Sequence, residues 1–405
     1  MSFWKRLVKS FNQPFETDDT MSPYYVKKAG VWNRVRFLAL LLLIVLVLGF
    51  LLTNIRLLSY ENLYHFIRDM GTSVAAAQES ADTLQYVTDE NQSAALYRNG
   101  LCVVGNKHFT LFSVSGRQLL TDSLNLSRPM VCASDKLVVA YDLGGTSVCA
   151  YNSSGKLWDL ETDFPIEYLT VSESGTVAVV TTGDTNLNFV YLYDIECNPV
   201  ARIRKNSYVF SVVFNEKSDR IALFELNSNM GNFVLHVEQY KFGRALSQTP
   251  DYGMDFYGVF PYYTGYSQAG QLMILCDTKL LYLNEKGKIV AEKDFPYPVK
   301  SASMRPEGCA LCFQSNSMGS SVLLWVFDAR GKSVFEKPVR AEAEQIVLQG
   351  KQVWLKGDTL SRLSLKNGDV QTAQTVCTGK MLLVGSDGKL LLYQKAVTEI
   401  IAFEN

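Results

Sequence analysis

The chain has 405 residues, 47% hydrophobic and 20% charged, so it can bury a large core and is not a disordered polymer. Its formal charge is −1, but seven Lys or Arg and only three acids precede Phe37; of 39 basic and 40 acidic residues in all, 32 and 37 remain beyond that point. No basic face is left there to neutralise phosphates, which excludes nucleic acid as a partner.

Residues 1–36 carry Lys5, Arg6, Lys9, Lys27, Lys28, Arg34 and Arg36, two prolines and few apolar clusters, and read as a disordered basic tail. Then comes FLALLLLIVLVLGFLLT, Phe37 to Thr53, seventeen residues without a charge, extended by Asn54-Ile55 before Arg56. At 1.5 Å per residue this length suits a hydrocarbon core of about 30 Å, and the stretch is apolar all round, unlike an amphipathic globular helix. The tail is too long for the charged region of a signal peptide, and Leu51-Leu52-Thr53-Asn54 offers no small-residue cleavage site. We therefore expect one uncleaved transmembrane helix over residues 37–55 in the cell membrane. The basic flank puts the tail in the cytoplasm and everything after residue 56 outside.

Residues 56–82 form a juxtamembrane linker. Leu63, Phe66, Ile67 and Met70 recur at helical spacing after Ser59, a suitable N-cap, and predict a short amphipathic helix followed by a polar spacer.

From about Ala94 the chain becomes short apolar, β-branched and aromatic runs separated by Gly, Asn, Asp and Ser turns, which is strand-and-hairpin punctuation. One series of turns centres on Gly116, Gly155, Asn198, Gly243, Gly287, Gly331 and Gly368, at steps of 39, 43, 45, 44, 44 and 37 residues. Gly or Asn recurs there because tight hairpins need a positive φ. A second series, RNGLCVV, SDKLVVA, ESGTVAVV, KSDRIALF, AGQLMIL, EGCALCF, QGKQVWL and SDGKLLL, lies between members of the first. Two hairpins per period of about 42 residues give four strands, the period and content of a propeller blade.

The second series has eight members. After its last turn, at Gly388, seventeen residues remain, enough for two strands but not for an outermost one. An unpaired edge there would invite aggregation, and TLQYVT, Thr83 to Thr88, is the available donor. The expectation is an all-β, eight-bladed β-propeller of four-stranded antiparallel blades over residues 83–405, closed by an N-terminal strand, with a seven-bladed ring as the alternative. SNSMGSSVLLW from Ser315 echoes NSNMGNFVLHV from Asn227, placing Met230 and Met318 between the second and third strands of blades two apart.

The span Phe37–Thr53, the following YENLYHFIRD and the blade turns together resemble an uncharacterised bacterial family, a domain of unknown function, of single-span membrane-anchored β-propellers. The likeness implies an anchored extracytoplasmic propeller and brings no activity or site residue with it. YNSSGKLW, Tyr151 to Trp158, resembles the recurrent turn of quinoprotein propellers, but the Trp does not recur and no adjacent cysteine pair exists.

Catalytic constellations are missing: there is no HExxH, P-loop, GxSxG or GxGxxG before a helix. His65, His108 and His236 have no metal-ligand partner at helical spacing. Eight cysteines follow the span, mostly in apolar runs; Cys309 and Cys312 form a CxxC inside GCALCF, where a strand would point them to opposite faces. No metal, cofactor or enzymatic activity is expected.

The richest surface candidate is PDYGMDFYGVFPYYTGYS, Pro250 to Ser267, read as a long connection between the fourth and fifth blades. Its Tyr252, Phe256, Tyr257, Phe260, Tyr262, Tyr263 and Tyr266 would share one face with Met230 and Met318, unless half of them form the next blade's inner strand. Aromatics and Met concentrate at binding hot spots. The functional expectation is a non-enzymatic scaffold or receptor for a protein or peptide partner. A glycan- or wall-binding module is the alternative, and a propeller hydrolase with a dispersed site is third.

Overall fold

A computed structural model describes residues 35–43, 83–183, 187–229, 231–243, 245–313, 321–373 and 375–401. Residues 35–43 are helical. Among the described residues no helix is long and apolar enough to cross a membrane; most of the expected span, the linker over 56–82, and Met230 and Met318 lie outside them.

Among the described residues of 83–401 there are thirty-two strands in eight four-stranded antiparallel sheets. Seven sheets use consecutive strands and form blade 1 (residues 92–123), blade 2 (129–161), blade 3 (166–205), blade 4 (208–257), blade 5 (261–294), blade 6 (299–339) and blade 7 (345–373). The first strands of blades 1 to 8 lie side by side in sequence order, so they form the inner wall. Several second strands are buried along their whole length, as in Gly100–Gly105, Val138–Asp142 and Gly308–Phe313, because both sheet faces meet a neighbouring blade. Fourth strands alternate exposed and half-buried residues, as in Gly155–Glu161, because they form the rim.

Blade 8 is the closure. Met381–Val384, Leu390–Gln394 and Val397–Ile401 supply its inner three strands, and Thr83–Gln85 adds antiparallel to Val397–Ile401 as the outermost. Leu84 is buried among Leu101, Val103, Phe112 and Leu391, so the donated strand joins blade 8 to blade 1. Asn99 of blade 1 accepts hydrogen bonds from the Ser386 amide and hydroxyl of blade 8, each at 2.8 Å. The ring is thus closed by a strand that precedes blade 1, drawn from the expected donor segment Thr83 to Thr88.

Cys309 and Cys312 point to opposite faces of their strand. Cys309 packs with Met273, Leu275 and Tyr282 of blade 5, and Cys312 with Ile346 and Leu355 of blade 7. Two turn assignments need correction. Gly243 has no left-handed φ, because residues 242–251 connect the third and fourth strands of blade 4 in place of a tight hairpin. In blade 3 the positive φ falls on Cys197 (68°), not on Asn198, because the Asp194 carboxylate accepts the amides of Glu196 and Asn198 and fixes the turn around the cysteine.

Candidate functional site

The segment from Pro250 to Ser267 is not a long connection. Tyr252–Tyr257 is the outermost strand of blade 4 and Pro261–Tyr266 the innermost of blade 5, joined by Gly258, Val259 and Phe260 alone. The aromatics accordingly divide. Tyr266 is buried and donates to Gln239 Oε1 at 2.8 Å, while Phe256 packs against the core between blades 4 and 5. Burial pushes the Tyr252 hydroxyl up to about 12 and the Tyr266 hydroxyl well above its ordinary value. None of these three presents an exposed ring.

Tyr257, Tyr262 and Tyr263 are instead 66%, 48% and 56% exposed. Two adjacent strand residues cannot ordinarily face the same way. Here the pairing jumps from Pro261–Cys276 to Tyr263–Leu275, leaving Tyr262 as the extra residue of a β-bulge that aims it outward. The same irregularity occurs near the start of the first strand in blades 3, 4 and 6, where Glu167, Phe210 and Lys300 are the unpaired residues. One acid, one base and two aromatics therefore mark the inner wall at this end, with no cluster of carboxylates among them.

Sequence reasoning missed two partners of the exposed tyrosines. Phe233, 55% exposed, follows the turn between the second and third strands of blade 4, and Tyr208, 46% exposed, opens that blade. Phe260 ties the group together: its ring lies 5.6 Å from Phe233, 6.1 Å from Tyr262 and 6.4 Å from Phe210, all edge to face. The link is held by the main chain, since Gly258 N–H donates to Phe233 O at 3.0 Å and Phe260 N–H to Asp277 Oδ1 at 3.0 Å. The result is a fixed aromatic platform on the end of blades 4 and 5 that carries the inter-blade links.

Behind it, on the seam between blades 3 and 4, lies a charged cluster. Glu225, His236 and Asp255 are directly opposite one another across three adjacent strands, and Glu238 stands two residues beyond His236 on the same face. His236 Nδ1 is 2.6 Å from Asp255 Oδ1, and its Nε2 is 3.2 Å from Glu238 Oε1. Lys205, the last residue of blade 3, reaches in between Glu225 (Oε1 at 2.8 Å) and Glu238, and Tyr240 donates to Glu238 Oε2 at 2.6 Å. Ser207 donates to Glu225. Burial opposes protonation of His236, yet the two carboxylates outweigh it and raise its pKa. Burial likewise opposes ionisation of Glu238, but hydrogen bonds from Lys205 and Tyr240 hold its pKa below the usual range. Gly231 was a usable signal: folding the sequence back just before it sets Glu225 against His236.

The chain belongs to the DUF5711 family, a family of unknown function, whose profile matches residues 74–403. No curated protein matches it. Solved structures with the same fold include Sqt1 of Saccharomyces cerevisiae, 10% identical, with a TM-score of 0.55 over 80% of this chain and 98% of that one. The WD40 domain of SCAP from fission yeast is 10% identical at a TM-score of 0.55, over 78% and 97%. BamB of Moraxella catarrhalis is 12% identical at 0.51, over 80% and 98%. At these identities the likeness establishes the WD40-like propeller fold and nothing finer.

Proposed function

We propose that this DUF5711 protein is a membrane-anchored, non-enzymatic propeller scaffold that holds a protein or peptide partner on the exposed aromatic end of blades 4 and 5. The observation that carries this reading is the bulged pair Tyr262-Tyr263, exposed together with Tyr208, Phe233 and Tyr257 around the Phe260 bridge. Rigid aromatic rings offer large contact area with few rotors to freeze, and a patch of this kind on a soluble domain marks an interaction surface. Met230 and Met318 belong to the same reading by their place between second and third strands. Anchoring rests on the uncharged run Phe37–Thr53, and the basic tail sets the cytoplasmic N-terminus.

The test is affinity capture of the full-length protein from mildly solubilised native membranes, comparing wild type with the Tyr262→Ser/Tyr263→Ser variant. A partner held by the first and lost by the second, at unchanged melting temperature, is the expected result. The same proteins held by both would refute the assignment of this surface. Capture of glycan or wall fragments in place of protein would favour the binding-module alternative.

A further inference from the structure

We propose that Glu225, His236 and Glu238 form a binding site for a zinc-type divalent cation on the seam between blades 3 and 4, with Asp255 orienting the histidine. Each of the three residues offers a ligand atom, and these atoms lie within 4.8 Å of one another. Zinc bonds to nitrogen and oxygen of about 2.1 Å place tetrahedral ligands roughly 3.4 Å apart. The His236 Nε2 to Glu238 Oε1 separation of 3.2 Å already matches, and Glu225 must draw in from within 4.8 Å.

Three further features point to a metal. First, the Asp255 carboxylate at Nδ1 takes that nitrogen's proton as a hydrogen bond, which directs the lone pair of a neutral His236 through Nε2 into the cluster. A carboxylate on the outer nitrogen is the recurrent way proteins fix a metal-binding imidazole. Second, Glu225 is 5% exposed and its buried Oε1 accepts no hydrogen bond, facing only the charge of the Lys205 ammonium, so this oxygen is already placed to meet a cation. Third, once the Lys205 ammonium moves away, Glu225, Glu238 and Asp255 leave three negative charges around a neutral histidine, and a dication offsets most of them. One nitrogen among oxygens favours zinc over magnesium or calcium, which prefer all-oxygen shells.

In this structure the Lys205 ammonium supplies the positive charge between Glu225 and Glu238. Lys205 ends the outer strand of blade 3, where its side chain can swing to solvent when a dication replaces it. Three protein ligands would leave a fourth position open to water or to a partner group. The site is two residues from Tyr257 and three from Phe233 along their strands, so an ion there would stiffen the floor of the aromatic platform.

The experiment is titration of metal-stripped full-length protein in detergent with Zn2+ by calorimetry, alongside Co2+ titration read by visible absorption. Wild type should bind one equivalent, with Co2+ showing ligand-field bands but no thiolate charge-transfer band. His236→Gln should abolish this equivalent, Asp255→Asn should weaken it roughly 10- to 100-fold, and Lys205→Met should tighten it by removing the competing ammonium. Lys205→Met also covers the case in which His236→Gln fails to fold. Absence of a stoichiometric site in wild type, an undiminished site in folded His236→Gln, or a thiolate spectrum would each overturn the proposal.

Discussion

Leu84→Ala tests the ring closure with a single methyl cluster. Leu84 is 3% exposed and sits in the donated strand Thr83–Gln85, against Leu101, Val103, Phe112 and Leu391. Truncating such a buried leucine costs about 2–5 kcal/mol, as lost transfer energy plus the cavity left behind. For a domain of this size roughly 2 °C of melting temperature accompanies each kcal/mol, so Leu84→Ala should melt about 4–10 °C lower. Deleting residues 83–88 should do more. It also removes the ladder to Val397–Ile401 and Tyr86, whose hydroxyl reaches Gln394 O at 2.5 Å and Thr398 Oγ1 at 2.9 Å, and whose ring stacks on Tyr393. Val87, 56% exposed in the same segment, is the internal control: Val87→Ser should stay within about 1 °C of wild type, as surface substitutions usually do. The assay is differential scanning calorimetry of the full-length protein at one fixed scan rate. If Leu84→Ala melted with Val87→Ser, the N-terminal strand would not close the ring.

Asp89 predicts a pH dependence. Its carboxylate accepts the Lys107 and His108 amides at 2.9 and 3.0 Å and pairs with His108 Nδ1; burial would raise its pKa, but these contacts hold it below the ordinary carboxylate value. The stability it contributes is therefore full above the unfolded value of about 3.9 and fades as pH falls through the lower folded pKa. Asp89→Asn should cost about 1–3 kcal/mol at pH 7 and show a flatter acid limb in pH-resolved melts. Gly331 and Gly368 both adopt left-handed φ, 77° and 79°, but a Cβ at Gly331 would lie 2.6 Å from Ala291 Cβ, whereas at Gly368 nothing comes nearer than 3.9 Å. Gly368→Ala should cost roughly 1–2 kcal/mol, and Gly331→Ala roughly 1–3 kcal/mol more from overpacking, by chemical denaturation. Burial pushes the Cys312 thiol up to about 11 and the Cys309 thiol up as well. Burial raises the Cys132 and Cys197 thiols too, so access decides: native protein should alkylate first at these two half-buried cysteines, with Cys309 and Cys312 labelled only after unfolding, as peptide mapping would show.

Much of the architecture is written in local chemistry. Hairpins demand turn residues at fixed offsets, so two interleaved series from RNGLCVV to SDGKLLL count eight blades, and the expected donor segment TLQYVT contains the Thr83–Gln85 strand that completes the eighth. The CxxC resolves as core because strand alternation separates Cys309 from Cys312. The site was less legible. Asp251, Gly253 and Asp255 punctuate the outer strand of blade 4 so that it reads as loop, although its side chains alternate in and out as a rim strand must. A bulge at Tyr262 depends on how the first strand meets the neighbouring blade, which no local pattern encodes. The Glu225, His236 and Asp255 row needed strand register; the pair Glu225–His236 could be found by folding the chain about Gly231, but Lys205 enters from another blade and could not.

The most direct test of the partner surface is photocrosslinking in native membranes from a benzophenone amino acid installed at position 262. Position 114, on an exposed turn between the third and fourth strands of blade 1 and so at the opposite end of the propeller, is the control. The scaffold account predicts a discrete protein adduct from position 262 and none from 114. Equal adducts from both, or none from a folded and photoreactive 262 variant, would contradict it.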